Sequence, residues 1–219
     1  LISELIKKGE LLDTSEKDNR ELLKNLLNRK DISHRELFGN INSLISKEIL
    51  EDLSILESEL NESNEFNILI KDKELVKALS LLIFCSPLWE KVLGNIRRNI
   101  LLNYSDKDKI SNSILNFTIG LGSQCFLNEY VYYISGEEKD KLIELKKIIN
   151  KSKNQEYKLA IISCYQSLSS INDKEIIDLN TYIANNKEFN NLLNLQIKDL
   201  NDEKKISKGV KKIGNIRDS

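Results

Sequence analysis

The sequence predicts an all-α protein, a bundle of about eight to ten helices followed by a polar C-terminal linker. The 219 residues include one proline and eight glycines, so residues that break helices are scarce. Leucine and isoleucine recur at helical spacing along most of the chain. Alternation of β-branched and polar residues over more than four positions, which would predict strands, is absent.

The N-terminal part of the chain predicts several short amphipathic helices. Residues 1–12 fit the end of an upstream helix, such as the last helix of a repeat array. Leucines at helical spacing predict a helix over 16–29, and a similar stripe predicts another from 49 to 56. Between them, Ser33 precedes Glu36 by three residues, the spacing of a capping box, which predicts a further helix start.

The middle of the chain is more apolar. The polar stretch NESNEFN, 61–67, predicts a loop, and the apolar stripe that follows predicts a helix over 75–84. Pro87 predicts the start of the next helix, because proline suits the first helical turn. A long helix is expected over 107–134, ended by Gly136.

The C-terminal part adds four predicted helices, over 137–151, 155–169, 173–185 and 187–200. The last segment, NDEKKISKGVKKIGNIRDS, is polar and contains glycine, which predicts a linker. The chain thus divides into an N-terminal helical region (1–60), a helical domain (61–200) and a linker (201–219).

Charge and cysteine content exclude several classes of partner. Acidic and basic residues nearly cancel, at 34 against 33, so neither nucleic acid nor an anionic membrane is an expected partner. No run of 18 apolar residues exists that could span a bilayer. Cys85, Cys125 and Cys164 are widely spaced and the chain has one histidine, so we expect no metal site. Reduced, buried thiols and a cytoplasmic location are the expectation.

The segment TIGLGSQC, 118–125, contains a Gly-x-Gly pair that is also found in nucleotide-binding loops. Such a loop needs a strand before it and a helix after it. Here the preceding residues, ISNSILNFT, have helical spacing. The small residues therefore predict a close approach of another helix, and we expect no cofactor-binding residue in this chain.

The segment QCFLNEY, 124–130, places polar residues inside an apolar stretch. On a helix, Gln124 and Asn128 face the same way, and Cys125 and Glu129 form a second such pair. The surrounding residues are apolar, so we expect these polar groups to be at least partly buried. A buried amide or carboxylate without a partner is costly, so partners must exist.

Two interpretations of this segment stay open. In the first, the polar residues form a satisfied interhelical network, and Arg97 or Arg98 on the preceding helix pairs with Glu129 and fixes the helix register. In the second, they form the floor of a groove for a peptide or small ligand. The walls of that groove would be three tyrosines at and just after the end of the segment: Tyr130, Tyr132 and Tyr133.

The segment WEKVLGNIRRNILL, followed by QCFLNEYVY, resembles a helical region of bacterial proteins that combine tetratricopeptide repeats with a C-terminal S-adenosylmethionine-dependent methyltransferase domain. The residues that match the family's signature are Gln124, Cys125, Phe126, Asn128, Glu129 and Tyr130. The resemblance covers about residues 65–219, and IGNIRDS, 213–219, looks like the segment just ahead of the methyltransferase domain. The family's aromatic, proline-rich linker and its glycine-rich cofactor loop are absent from the sequence.

This resemblance implies that the parent protein is a methyltransferase and that these residues are its non-catalytic helical domain. Such a domain would scaffold the catalytic domain in cis or present a protein or peptide substrate. S-adenosylmethionine would bind the domain that follows, and no catalytic residue is expected here. The alternative, which rests on the helical composition, is a free-standing module for protein–protein interaction.

Overall fold

The computed structural model describes residues 16–32, 34, 45, 47–55, 63–84, 86–171, 182 and 184–217. Within these ranges the chain forms nine α-helices and no strand, which confirms the all-α prediction. The helices are α1 (Glu16–Asn28), α2 (Lys47–Ile55), α3 (Asn64–Lys71), α4 (Lys73–Leu81), α5 (Pro87–Tyr104), α6 (Asn112–Leu127), α7 (Gly136–Ile148), α8 (Gln155–Ser163) and α9 (Lys187–Arg217). Short 3₁₀ helices cover Ile149–Lys151 and Leu168–Ser170.

Helix α6 is the centre of the bundle. It packs against α3, α4, α8 and α9, and its residues from Phe117 to Cys125 are all buried. A helix that is apolar on every side is one that other helices surround. The helices α1 and α2 add Leu23, Leu50 and Leu53 to the same hydrophobic core.

Side-chain caps determine where several helices begin. The Ser63 hydroxyl accepts a hydrogen bond from the Phe66 N–H and starts α3, and the Ser111 hydroxyl accepts one from the Ile114 N–H and starts α6. Asp72 ends α3 and also starts α4, where its carboxylate accepts from the Leu75 N–H. The predicted helix start at Pro87 is confirmed.

The small residues of α6 allow two neighbouring helices to approach closely. A Cβ atom on Gly120 would lie 3.0 Å from the carbonyl oxygen of Val76 in α4. A Cβ atom on Gly122 would lie 2.2 Å from the hydroxyl of Ser163 in α8. The Gly-x-Gly pair therefore serves packing within a helix, as the sequence predicts.

Several predicted boundaries are wrong in the middle of the chain. The expected loop 61–67 is helical from Asn64 onward, because Ser63 caps a helix there. The expected long helix over 107–134 is the shorter α6, and the chain is not helical from Asn128 to Ser135. Gly136 begins α7 rather than ending a helix, because Ser135 caps α7.

Further differences lie toward the C-terminus. The helix expected over 155–169 ends at Ser163, where the chain turns. Residues 201–217, expected to form a linker, continue α9, which is 31 residues long. The expected helix over 1–12, the expected helix start at Ser33 and most of the expected helix over 173–185 lie outside the described residues.

No helix in the described part of the chain has both the length and the apolar character needed to cross a lipid bilayer.

Candidate functional site

The amide of Gln124 lies in the centre of the bundle and is fully buried. We assign its orientation so that each amide atom meets a complementary partner. Its nitrogen then donates to the carbonyl oxygen of Leu82 at 2.7 Å, and its oxygen accepts from the N–H of Phe84 at 3.1 Å. Leu82 and Phe84 belong to the non-helical connection after α4, so Gln124 supplies the hydrogen bonds that this backbone cannot make within a helix.

Asn128 extends the same network from the C-cap of α6. Its side-chain nitrogen lies 3.4 Å from the carbonyl oxygen of Phe84 and 3.2 Å from the hydroxyl of Tyr132. It also lies 3.2 Å from the Gln124 oxygen in the assigned orientation. For these two amides, the structure therefore has the satisfied polar network that was one of the two interpretations of this segment.

The thiols of Cys125 and Cys164 are free and buried between α6 and the end of α8. The Cys164 thiol lies 3.5 Å from the carbonyl oxygen of Thr118. Burial, reinforced by the neighbouring Cys125, raises the pKa of Cys164 well above its usual value. Both side chains behave as core residues rather than as nucleophiles. Cys85 lies outside the described residues.

Arg97 is the largest buried charge in the described part of the molecule, with a side chain only 2% exposed. Its Nη2 donates to the carbonyl oxygen of Tyr133 at 2.6 Å and lies 3.4 Å from Glu138 Oε1. The guanidinium also lies over the Tyr165 ring, 4.3 Å from its centroid, and 5.6 Å from that of Tyr132. Among the described residues Glu138 is the one carboxylate partner of this cation, and the two rings stabilise the cation further.

Glu138 connects this arginine to the start of α7. One carboxylate oxygen accepts from the Tyr165 hydroxyl at 2.8 Å, and the other accepts from the Ser135 N–H at 2.8 Å in a capping box. Burial raises the pKa of Tyr165, so its hydroxyl stays protonated as a donor at physiological pH. Arg97, Glu138 and Tyr165 thus form one buried cluster that joins α5, α7 and the turn after α8.

The expected ion pair to Glu129 is wrong. Arg97 pairs with Glu138, and Arg98 pairs at 2.6 Å with Glu137, where both side chains are largely exposed. The physical reason is that α6 ends at Leu127, so Glu129 does not continue the helical face that the prediction assumed. Glu129 is exposed to solvent instead.

The chain turns at Glu129 and Tyr130 with an unusual backbone conformation. Both residues have positive φ angles, 53° and 57°, a region that residues other than glycine rarely adopt. The Tyr130 N–H donates to the carbonyl oxygen of Cys125 at 2.8 Å, which closes the end of α6. The Tyr130 hydroxyl accepts from the buried Gln196 of α9 at 3.3 Å. Contacts with α9 therefore hold a strained turn in place.

This turn forms one wall of a cleft of about 600 Å³ between the end of α6, the segment after α8 and the middle of α9. The lining residues are Phe126, Leu127, Glu129, Tyr130, Ser167, Ser169, Ser170, Asp199, Leu200 and Glu203. Phe126 and Tyr130 lie edge to face, with ring centroids 6.4 Å apart. We call this site the acidic cleft, because three of the described residues that line it are acids and none is basic.

The cleft divides the predicted site residues into two groups. Glu129 and Tyr130 line it, whereas Gln124 and Cys125 are buried beneath it. Arg97 lies in the buried cluster with Glu138, whereas Arg98, Tyr132 and Tyr133 line a separate cavity beside α5. Sequence reasoning missed Asp199 and Glu203. Their spacing of four residues on an amphipathic helix was visible, but nothing in the sequence indicated that α9 lies beside the end of α6.

The residue types that line the acidic cleft suit the binding of a cation. Carboxylates and aromatic rings together attract a cation, and the three serine hydroxyls can accept or donate hydrogen bonds. The described residues contain no group of three or more histidine, cysteine or acidic side chains arranged to hold a metal ion.

Comparison of this chain with protein-family models, with curated proteins and with solved structures gives no match.

Proposed function

We propose that this protein is a non-catalytic helical interaction module, and that its acidic cleft holds a basic peptide segment of a partner protein. The observation that carries the proposal is the composition of the cleft. Glu129, Asp199 and Glu203 line it together with the aromatic residues Phe126 and Tyr130, with no basic side chain among the described lining residues. Carboxylates around aromatic rings suit a lysine or arginine side chain, which can lie on a ring while its charge faces the acids.

The strained turn supports the same proposal. Non-glycine residues at positive φ cost free energy, and such strain is often found where a site needs a particular side chain in a particular place. Here the strain places Glu129 at the rim of the cleft and Tyr130 in its wall. A glycine would relieve the strain but would remove the side chain.

The resemblance of QCFLNEY to the methyltransferase-associated region suggests where such a module works. A domain that scaffolds or presents substrate to an S-adenosylmethionine-dependent methyltransferase domain in cis would need a surface that holds a peptide. The acidic cleft is such a surface for a basic peptide. This association rests on the heptapeptide, and a free-standing interaction module is the alternative.

Binding of a basic peptide is tested by fluorescence anisotropy with a labelled twelve-residue peptide of lysine, arginine and leucine. We expect saturable binding that weakens with added salt. The triple variant Glu129→Gln/Asp199→Asn/Glu203→Gln should weaken binding by about tenfold, which corresponds to about 1.4 kcal/mol. The matched control is Glu48→Gln/Asp52→Asn/Asp140→Asn, which removes three exposed acids elsewhere. Equal losses in both variants would contradict the proposal.

The methyltransferase association has a separate test. Calorimetric titration with S-adenosylmethionine should give no heat with residues 1–219 and micromolar binding with a gene product extended by roughly 150–200 residues, a typical domain length. Cofactor binding by residues 1–219 alone would contradict the division of roles. A reading frame that stops after Ser219 would favour the free-standing module.

A further inference from the structure

A second groove lies at the other end of the α6–α9 pair. Asn116 contacts Asn186, Gly122 lies near Leu192, and Tyr130 contacts Gln196. The two helices therefore run side by side in the same direction, and their N-terminal ends lie together. The groove has a volume of about 790 Å³ and lies between these ends and the helices α3 and α4. Asn186 bridges part of its wall by donating to the Asn116 side chain at 2.9 Å.

The rim of this groove is positively charged. Four lysines line it: Lys71, Lys73, Lys77 and Lys187. Glu188 is the one acidic residue among the described lining residues. The acids beside these lysines in sequence, Asp72 and Glu74, are held by Arg20 at 2.5 and 3.4 Å. Arg20, a cation outside the groove, therefore offsets one of these two negative charges.

The floor of the groove is apolar. Ile70 and Ile119 are buried, and Val76 and Leu81 are half-buried at its base. Gly120 keeps the floor open beside the backbone of α4. A small anion would use only the lysines and would leave this apolar floor exposed to water. An apolar floor with a cationic rim matches a segment that has aliphatic side chains on one side and carboxylates on the other.

Nucleic acid fits this groove poorly. The described residues that line it include no aromatic ring on which a base could stack and no arginine to contact a base edge or phosphate in bidentate fashion. The whole chain also carries a formal net charge of −1, which does not favour a polyanion.

We propose that this groove, which we call the lysine groove, binds an acidic amphipathic peptide segment of a partner protein. It is separate from the acidic cleft and selects the opposite charge. One module would thus engage two partner segments, a basic one at the C-terminal end of α6 and an acidic one near its N-terminal end.

The test uses fluorescence anisotropy with a labelled twelve-residue peptide of leucine and glutamate in an amphipathic pattern. The variant Lys71→Glu/Lys73→Glu/Lys187→Glu should weaken binding by about tenfold or more. The control Lys109→Glu/Lys139→Glu/Lys153→Glu makes the same change of charge at exposed lysines outside the groove and should have little effect. Circular dichroism melting of each variant verifies that it is folded. Equal losses in the two variants, or no saturable binding by the parent protein, would overturn the proposal.

Three further measurements identify the kind of molecule that the lysine groove binds. A labelled polyglutamate of equal length should bind more weakly than the amphipathic peptide, since it cannot use the apolar floor. A single-stranded oligonucleotide that binds as tightly as the peptide and is lost in the groove variant would overturn the proposal in favour of nucleic acid. Sedimentation showing a dimer that dissociates in the groove variant would overturn it in favour of a second copy of this chain.

The lysine-groove variant should also bind the basic peptide of the acidic cleft at least as well as the parent protein does. If the lysine-groove variant binds neither peptide, the two sites are not independent, and the proposal of a second site is overturned. Loss of basic-peptide binding in every protein, with acidic-peptide binding intact, would contradict only the proposed function.

Discussion

Two polar residues near the end of α6 lie within two helical turns of each other but differ in burial and in hydrogen bonding. Gln124 is fully buried and its amide is matched on both sides by the backbone of another segment. Glu129, five residues later, is exposed and lies on a strained backbone at the rim of a cleft. The end of α6 separates the two. Gln124, before that end, stabilises the fold, whereas Glu129, after it, is exposed to solvent.

The largest expected effect concerns the buried cluster around Arg97. Glu138→Ala should lower the free energy of unfolding by about 3–5 kcal/mol, because it leaves a buried guanidinium without its carboxylate. The neighbouring change Glu137→Ala removes an exposed partner of Arg98 and should cost less than about 1 kcal/mol. Urea denaturation measures both values. Similar losses for the two variants would mean that burial does not distinguish these ion pairs.

The amides of the α6 network should have the next largest effect. Gln124→Leu should cost about 1–3 kcal/mol, because a buried carbonyl and a buried N–H lose their partner. Asn128→Leu should fall toward the lower end of that range, since Asn128 is only half-buried and its bonds are longer. Chemical denaturation decides both. A loss under about 0.5 kcal/mol for Gln124→Leu would rule out a structural role for the network.

Close packing of α6 on α8 gives a third comparison, between two glycines. Gly122→Ala should cost about 1–3 kcal/mol, because the new methyl group would overlap the Ser163 hydroxyl. Gly94→Ala, on α5, meets nothing within 4 Å and should stabilise the protein by up to about 1 kcal/mol through helix propensity. Adding Ser163→Ala to Gly122→Ala should recover part of the loss in thermal unfolding. If the double variant recovers no stability, the overlap with the Ser163 hydroxyl is not the cause of the loss.

The smallest expected effect is a gain in stability rather than a loss. Glu129→Gly should stabilise the fold by about 0.5–1 kcal/mol, because glycine adopts a positive φ without strain. The same variant should weaken binding of the basic peptide at the acidic cleft. Glu129→Gln separates the two effects, since it keeps the strain and removes the charge. A Glu129→Gly protein that is less stable than the parent would show that the side chain serves the fold instead.

The sequence was enough to predict what depends on local spacing. The helical class, the start of α5 at Pro87 and the packing role of Gly122 follow from neighbouring residues and are confirmed. The ends of helices were harder to predict. Ser63 and Ser135 cap helices that begin where the surrounding residues predict a loop or a helix end.

The candidate site was only partly predictable, because it depends on long-range contacts. That Gln124 would need partners follows from its apolar neighbours, but the identity of those partners follows from the path of the chain after α4. Glu129 was expected to face an arginine only because α6 was expected to continue past Leu127. Asp199 could be predicted to line the cleft only if the packing of α9 beside α6 were known, and no local sequence pattern indicates that contact.

The length of α9 has a mechanical consequence. A flexible linker tolerates added or lost residues, whereas a helix transmits each of them as a rotation of about 100° and a rise of about 1.5 Å. From Asn201 onward, α9 continues where a linker was expected. One residue inserted after Asp202 would therefore swing everything beyond it to a different side of the helix axis, whereas seven inserted residues would nearly restore the original direction. As a continuous helix, this segment fixes the direction as well as the distance of its last residues relative to the bundle.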